Sequence, residues 1–208
     1  MTLVMLWSLV FTTAALAGGD SQIIIDQAAS ASHEQALNDR LSGITSLHTR
    51  FEQSATGRNN EITRQDSGEL WVEKPDRFRI VTGEPNAQTL VSDGDLFWSY
   101  DAELEQVIVS QLDKSIRDVP ILLLGGNPAA ITRNYRVSFY ESERGDHFVL
   151  EPKTTTGLFA SLTIVFTEEL PIAISIRDNF GQYVLMEFID PAVNVDLEPG
   201  IFTFNPPD

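Results

Sequence analysis

The sequence predicts a mainly β protein built on one curved antiparallel sheet of about ten or eleven strands, covered by two short helices. Apolar and polar residues alternate in short runs from Leu47 onward, and turn residues separate these runs at near-regular spacing. Only two segments depart from this pattern. Because two short helices cover little area, the sheet must curl beneath them, and a curled sheet under a small lid encloses a pocket. A single antiparallel meander is the simplest topology.

The N-terminal segment is predicted to direct export. Residues 1–17 contain no charged side chain and end in Ala15-Leu16-Ala17, a small-x-small cleavage pattern. The apolar run is shorter than the ~20 residues of a membrane span. We therefore interpret it as a signal peptide cut after Ala17, with a retained membrane anchor as the alternative. No second long apolar segment follows, so we expect the rest of the chain to be one soluble domain.

A loose leader and one amphipathic helix are predicted next. Residues 18–32 are small and polar around three isoleucines, which indicates a flexible leader before a domain at 33–208. Ser32 is a candidate N-cap, with Gln35 three residues later. Apolar residues then recur at helical spacing, at Leu37, Leu41 and Ile44.

The predicted strands are organised around the stretch Gly68–Ile80, GELWVEKPDRFRI. Pro75 cannot donate a hydrogen bond to a sheet, so we place it in a charged corner between two strands. A second unit of the same kind spans Leu90–Asp101. Within that unit, Asp93-Gly94 is a strong hairpin signal between apolar runs.

The second helical segment is predicted over Asp118–Ile131. It holds the apolar run Ile121–Leu124, with Pro120 suited to a first helical turn and Gly125-Gly126 suited to a stop. This short helix has no polar face of its own. It is either ordinary core or part of a lid over the sheet.

Bulky apolar side chains are predicted to share one face of the sheet. Charged residues such as Arg77, Arg79 and Asp101 fall on the other face. The apolar face is either a filled core, which composition favours, or the wall of a cavity. Alternation along the strands assigns to it Phe51, Phe78, Ile80, Leu90, Leu96, Trp98 and Tyr100.

Composition excludes several classes of function. A formal net charge of −16 repels phosphate backbones, so we predict no nucleic-acid partner. The acidity serves solubility or steering towards a basic partner surface. The chain has no cysteine, which excludes a lipid-modified cysteine, a thiol nucleophile and a cysteine metal cluster.

Catalytic and cofactor motifs are equally absent from the sequence. The histidines His33, His48 and His147 lie far apart, and neither a zinc-protease motif nor a G-x-S-x-G elbow occurs. Gly125-Gly126 is not followed by the residues of a phosphate loop. We therefore predict no catalytic residue, no metal site and no cofactor.

Five motifs, in order, resemble the LolA family of periplasmic outer-membrane lipoprotein carrier proteins. They are GELWVEKPDRFRI, LVSDGDLFWSYD, VPILLLGGN, FVLEPK and FTFNPPD, and the passage LNDRLSGITSLHTRFEQ is similar as well. The resemblance covers about residues 33–208. It implies an incomplete, half-open β-barrel of about eleven strands, with short helices as a lid over a hydrophobic cavity.

The resemblance also implies a function and its partners. A carrier of this family takes the acyl chains of lipoproteins that an inner-membrane ABC transporter releases, and it delivers them to an outer-membrane lipoprotein receptor. Because the chain lacks a cysteine for lipid attachment, we expect the soluble periplasmic carrier and not the receptor. We expect it to act as a monomer and without enzymatic activity.

Site residues follow from the same resemblance. Phe78 matches a cavity aromatic used in cargo reception. Lys74 stands where the family commonly has an arginine that holds the lid shut, and a lysine lacks the planar fork of that arginine. The lid positions whose carbonyls it would meet are Leu41, Leu124 and Gly125. The expected cavity is lined by Phe51, Leu70, Phe78, Ile80, Leu90, Trp98, Tyr100, Leu122 and Leu123.

Two other functions remain open at this point. One is a periplasmic lipid- or lipoprotein-sensing regulatory module of the same fold, which would normally carry a second domain. The other is a secreted lipid hydrolase, which would need a nucleophile and a base in the cavity. The sequence offers neither the second domain nor a convincing pair of catalytic residues.

Overall fold

Eleven antiparallel strands form one open sheet that carries most of the chain. The computed structural model describes residues 27–112, 122–125, 131, 133–154, 159–198 and 200–205. The described helices of a full turn or more are α1 (Gln27–Ser42) and α2 (Leu122–Gly125). The strands are β1 (Ser46–Thr56), β2 (Ile62–Glu73), β3 (Arg77–Thr82), β4 (Gln88–Asp93), β5 (Leu96–Asp101), β6 (Gln106–Gln111), β7 (Tyr135–Ser142), β8 (Gly145–Pro152), β9 (Phe159–Thr167), β10 (Leu170–Asp178) and β11 (Tyr183–Val193).

The strand order confirms the predicted sheet and corrects its topology. The order across the sheet is β6-β5-β4-β3-β2-β1-β11-β10-β9-β8-β7. In a single meander β1 and β11 would be the edges, but here they pair at the centre, with Phe51 opposite Phe188. The sheet therefore consists of two meanders, β1–β6 and β7–β11, and its edges are β6 and β7. The helix α2 lies in the segment that connects these two edges.

The two turns that organise the predicted strands are confirmed. β2 ends at Glu73 and β3 begins at Arg77, so Pro75 lies in the corner between them. β4 and β5 form a hairpin in which Gly94 has a φ of 104°, a conformation that glycine adopts without a steric penalty.

One face of the sheet, called the inner face below, buries a continuous hydrophobic core. Cross-strand pairing puts its residues on the same side of the sheet, for example Leu70 opposite Ile80 and Phe148 opposite Ile164. The core joins both meanders to the two helices. Its largest members on the strands are Leu47, Phe51, Leu70, Phe78, Ile80, Phe148, Leu150, Leu162, Ile164, Phe166, Ile174 and Phe188.

The helix α1 lies on the inner face and packs against β7. Leu37 and Leu41 are fully buried in the core, as the helical spacing predicts. The helix is longer than predicted, because it already runs at Gln27. Ser32 therefore lies within α1 and is not its N-cap, and the last six residues of the predicted leader, 27–32, belong to this helix. The predicted signal peptide and the rest of the leader lie outside the described residues.

The helix α2 covers the inner face beside β2 and β3. Leu124 is fully buried in the core. Gly125 approaches β2 so closely that an added Cβ would lie 2.8 Å from Val72 Cγ1. Of the helix predicted over Asp118–Ile131, the structure describes Leu122–Gly125 and Ile131, and the remainder lies outside the described residues.

The C-terminal residues 200–205 cover the opposite, outer face of β3 to β5. Arg79 Nη1 donates hydrogen bonds to the carbonyls of Ile201 (3.3 Å) and Thr203 (3.4 Å). The ring of Phe204 stacks on Trp98 with a centroid separation of 6.3 Å. Within the described part of the chain, no helix has the length and hydropathy that crossing a bilayer requires.

Candidate functional site

Four of the predicted cavity residues lie together on the inner face beneath the helices. Phe51, Leu70, Phe78 and Ile80 are all buried in the core. The register accounts for this, because Leu70 pairs with Ile80, and Val72, the next residue of β2 on the same face, pairs with Phe78. Leu90 is opposite Ile80 on β4 and packs on the same core while remaining partly exposed.

Phe51 owes its position to the glycine opposite it. Phe51 and Gly68 are directly paired between β1 and β2. A Cβ at Gly68 would lie 2.7 Å from the Phe51 ring and 2.1 Å from the Val81 carbonyl oxygen. The glycine therefore leaves the space in which the phenylalanine ring packs across β2.

The prediction that Trp98 and Tyr100 share the face of Phe78 is wrong. Phe78 pairs with Ser92, and Ser92 pairs with Phe97, so the odd positions of β5 continue the inner face. Trp98 and Tyr100 point to the outer face instead, where both rings contact Phe204. Leu96 belongs to the same outer set, because it alternates with Phe97.

On β5, the inner-face aromatic residue that sequence reasoning missed is Phe97. Its ring centroid lies 6.0 Å from that of Phe78, and its side chain packs on the core. The signal was present in the Asp93-Gly94 turn. A two-residue hairpin pairs even positions of one strand with odd positions of the next, so the parity of the inner face changes at this turn.

Two of the predicted cavity residues belong to α2, where the side chains are described only in part. Leu122 and Leu123 lie in this helix, but their side chains fall outside what the structure describes. The side chain of Leu124, a predicted lid position, is described, and it is fully buried.

The corner between β2 and β3 binds both helices through hydrogen bonds. The ammonium group of Lys74 donates to the carbonyl of Leu41, near the end of α1. The backbone N–H of Asp76 donates to the carbonyl of Gly125 at 3.0 Å. Lys74 therefore reaches one of its expected partners, Leu41, while the carbonyl of Gly125 is bound by the neighbouring backbone amide.

Burial perturbs both ionisable side chains of this corner. Desolvation lowers the pKa of the Lys74 ammonium below its usual value. Desolvation likewise raises the pKa of the Asp76 carboxyl. Among the described residues Lys74 forms no ion pair, and its charge is offset by the carbonyl dipole of Leu41.

On the other half of the sheet, α1 is held by a different set of contacts. Arg40 Nη2 forms an ion pair with Asp146 Oδ2 at 2.5 Å, and Ser30 Oγ donates to the carbonyl of Val137 at 3.2 Å. The ring of His33 lies 5.6 Å from that of Phe139. The last turn of α1 thus bridges the two meanders, with Lys74 on one side and Asp146 on the other.

The described histidines and carboxylates of this face are not grouped as a metal site would require. Across the residues that the structure describes, no group of three or more potential ligands is placed to hold a metal ion. Ser142 Oγ and His147 Nε2 are 2.8 Å apart, but both lie on the outer face at the β7–β8 turn. His147 also stacks on Tyr140, and burial and the nearby Arg144 lower its pKa.

The sequence that forms this sheet and its corner matches a known protein family. The family model described as "Outer membrane lipoprotein carrier protein LolA" matches residues 42–205. The chain belongs to the LolA family. The match includes the β2–β3 corner, α2 and the C-terminal segment that covers the outer face, whereas nearly all of α1 precedes it.

Members of the LolA family align with most of the chain. A protein named "Outer-membrane lipoprotein carrier protein" from Chromohalobacter salexigens is 34% identical over 168 residues, which cover 81% of this chain and 80% of that protein. The protein of the same name from Pseudomonas aeruginosa is 33% identical over 194 residues, covering 93% and 92%. An uncharacterised conserved protein from Thermus thermophilus shares the fold, with a TM-score of 0.51 at 15% identity, over 84% of this chain and 94% of that structure.

Proposed function

We propose that this protein is a soluble periplasmic carrier of lipoproteins. It takes acylated lipoproteins that an ABC transporter releases from the inner membrane, and it delivers them to a receptor on the outer membrane. The acyl chains enter between the inner face of the sheet and the two helices. Membership of the LolA family supports this role, as do the names of its relatives.

The observation that carries the proposal is a buried apolar inner face beneath α1, a helix whose Leu41 carbonyl accepts a hydrogen bond from the Lys74 side chain. Phe51, Leu70 and Phe78 are buried beneath α1 and α2. On the side of β2 and β3, α1 is held by the hydrogen bond from Lys74 to the Leu41 carbonyl. Displacing α1 at this point exposes a large apolar surface without breaking a strand pairing.

The binding energy expected for such a site suits a shuttle. An acyl chain that buries about ten methylene groups gains roughly 8 kcal/mol, at ~0.8 kcal/mol for each group. That gain corresponds to binding at about the micromolar level. The hold is strong enough to keep the chain out of water and weak enough to pass it to a partner that packs it better.

Lys74 sets the balance between loading and release in this mechanism. Its hydrogen bond exists only while α1 is closed, so it favours the empty state. When acyl chains enter, the bond to Leu41 breaks, and re-forming it helps expel the cargo. A hydrogen bond to a charged group contributes about 1–3 kcal/mol, reduced here because Lys74 is only half-buried.

The proposal is tested by presenting one lipoprotein in two forms, acylated and with its modified cysteine replaced by serine. The carrier is mixed with each form as detergent is removed, and complexes are separated by size. We expect a soluble one-to-one complex with the acylated form alone. Equal retention of both forms would mean that the protein recognises the polypeptide and not its acyl chains.

Substitution of Phe78 locates the site within the fold. Phe78→Glu puts an unpaired carboxylate on the inner face, at a cost of several kcal/mol to any acyl chain packed there. We expect folded Phe78→Glu protein to lose uptake of the acylated lipoprotein. The control is Val109→Glu, which adds the same charge at an exposed position on the outer face of β6 and should retain uptake.

A further inference from the structure

One polar group of the inner face is not used by this mechanism, the guanidinium of Arg40. Arg40 lies near the end of α1, and its Cζ is 5.2 Å from the ring centroid of Phe148 and 5.5 Å from that of Phe166. Both rings are fully buried members of the core. A charged group thus extends over the aromatic residues of the face that the acyl chains would occupy.

The guanidinium is paired on one of its terminal nitrogens and unpaired on the other. Nη2 donates to Asp146 Oδ2 at 2.5 Å. Nη1 is buried and has no hydrogen-bond partner. In the described part of the chain the only other such side-chain atom is Asn38 Oδ1, which also belongs to α1. A buried donor without an acceptor is costly, and native structures contain few of them.

Arg40 lies at the boundary between the apolar interior and water. The Arg40 and Asp146 side chains are 22% and 27% exposed, whereas Phe148, two residues further along β8, is buried. Asp146 follows the β7–β8 turn, which lies at the same end of the sheet as the β2–β3 corner. The unpaired Nη1 is therefore placed where a bound chain would leave the interior.

We propose that Arg40 Nη1 binds the carbonyl oxygen at the head of a bound acyl chain, an ester or amide oxygen. This inference rests on the proposed function. Every acyl chain ends in a carbonyl group, whose oxygen needs a donor once the chain has left water. The ion pair with Asp146 fixes the orientation of the fork and balances its charge, so the site suits a neutral ester or amide.

The alternative is that Nη1 simply rests on the aromatic faces. The rings of Phe148 and Phe166 are within cation–π range of the guanidinium and would partly compensate a missing acceptor. In that case Arg40 is only part of the core, and binding should depend on the length of a ligand and not on its carbonyl group. The two interpretations thus differ in the ligand chemistry that they predict.

The test uses two ligands of equal chain length, methyl dodecanoate and dodecyl methyl ether, which differ by one carbonyl. Their affinities are measured by displacement of an apolar fluorescent dye from wild-type protein and from Arg40→Met/Asp146→Asn. This double variant removes both charges and leaves no unpaired carboxylate. We expect the ester-to-ether affinity ratio to fall about tenfold in the variant.

A matched control removes an ion pair elsewhere. Arg136→Met/Glu151→Gln alters an exposed pair on the outer face of β7 and β8, whose N–O distance is 3.9 Å, and should keep the wild-type ratio. A second measurement needs no variant. The infrared carbonyl stretch of ¹³C-labelled ester bound to wild-type protein should lie at lower frequency than in an alkane solvent.

The outcomes separate the contact between Arg40 Nη1 and the acyl carbonyl, called the anchor here, from the carrier function. If both ligands bind and the affinity ratio is the same in the wild-type protein and in Arg40→Met/Asp146→Asn, the anchor is refuted while the cavity stands. An unshifted carbonyl stretch in the wild-type complex refutes it equally. If neither ligand displaces the dye from wild-type protein, the proposed acyl cavity fails, and the anchor fails with it.

Discussion

The two halves of the sheet hold α1 in different ways. On the β7–β8 half, α1 has the Arg40–Asp146 ion pair, the hydrogen bond from Ser30 to Val137, and aromatic contacts of Arg40 and His33. Among the described residues of the β2–β3 half, the side-chain hydrogen bond to α1 is the one from Lys74 to the Leu41 carbonyl. When the hydrogen bond from Lys74 breaks, water can solvate both the ammonium group and the carbonyl. Opening the β7–β8 half would instead separate an ion pair and disrupt aromatic contacts.

The residues that follow the C-terminal end of α1 are held by a third set of hydrogen bonds. The side chain of Asn194, after β11, accepts a hydrogen bond from the Thr45 N–H at 2.7 Å and donates one to the Gly43 carbonyl at 2.9 Å. The chain that follows α1 is thereby tied to the centre of the sheet. The difference between the two halves therefore predicts a direction of motion: α1 lifts at the Lys74 corner and stays on β8.

The largest expected effect comes from removing the acidic partner of Arg40. Asp146→Ala leaves the guanidinium over Phe148 and Phe166 without its counter-charge. We expect a loss of about 2 kcal/mol in the free energy of unfolding, below the value for a fully buried pair because both groups are partly exposed. Denaturant unfolding measures it. Glu151→Ala, in an exposed pair, is the control and should change stability by less than about 0.5 kcal/mol.

The corresponding change on the other half should alter transfer more than stability. Lys74→Leu removes the hydrogen bond to Leu41 and also a desolvated cation, so the two effects on folding partly cancel. We expect the variant to load acylated lipoprotein at least as well as wild type and to hand it to the receptor less completely. Lys74→Arg should do the reverse, because the planar fork can engage more than one carbonyl.

A transfer assay that scores carrier-bound against receptor-bound cargo decides this prediction. Arg136→Leu removes a cation from the outer face of β7 and should leave transfer unchanged. If Lys74→Leu transfers as completely as wild type, Lys74 is a turn residue without a role in release.

The smallest expected effect is a change in the pH dependence of stability at Asp76. Desolvation raises the folded-state pKa of the Asp76 carboxyl above the 3.8 of the unfolded chain. The protonated carboxyl therefore stabilises the fold below pH 3.8, and this stability is lost as pH rises through the folded-state pKa. Asp76→Asn should therefore be more stable than wild type at pH 7 and as stable as wild type near pH 3. The gain at pH 7 should be less than about 1 kcal/mol, because the Asp76 side chain is partly exposed. The φ of 58° suits asparagine as well.

Thermal unfolding at both pH values measures the Asp76 effect. The matched control is Asp190→Asn, which makes the same substitution at a φ of 53° on an exposed side chain. Its stability relative to wild type should lack the gain at pH 7. An equal gain at both positions would trace the effect to the turn conformation and not to burial of the carboxylate.

The sequence was sufficient for features that local patterns encode. The strands around Pro75, the Asp93-Gly94 hairpin and the buried positions Leu37 and Leu41 follow from turn chemistry and periodicity. The family resemblance indicates Lys74, and its hydrogen bond to Leu41 is present in the structure.

Long-range pairing is what the local patterns left open. The pairing of β1 with β11 joins segments far apart in the chain, such as Phe51 and Phe188, and no local pattern distinguishes it from a meander. Arg40 follows the polar pattern of an exposed helix face, and its partner Asp146 is 106 residues away. Alternation along one strand does not say which positions of the next strand continue the same face, so it assigns Trp98 to the wrong face. The length of the turn does say this, because a two-residue turn pairs even positions of β4 with odd positions of β5.

The direction in which α1 moves when an acyl ligand binds tests the proposed opening of the inner face. The chain has no cysteine, so pairs of introduced cysteines can be spin-labelled without background. Exposed Ala36 on α1 is paired with Asp95, at the β4–β5 turn, or with Glu143, at the β7–β8 turn. On adding acylated lipoprotein, the Ala36–Asp95 distance should lengthen while the Ala36–Glu143 distance stays the same. Lengthening of Ala36–Glu143 with an unchanged Ala36–Asp95 distance would show that α1 opens from the β7–β8 half, against this prediction.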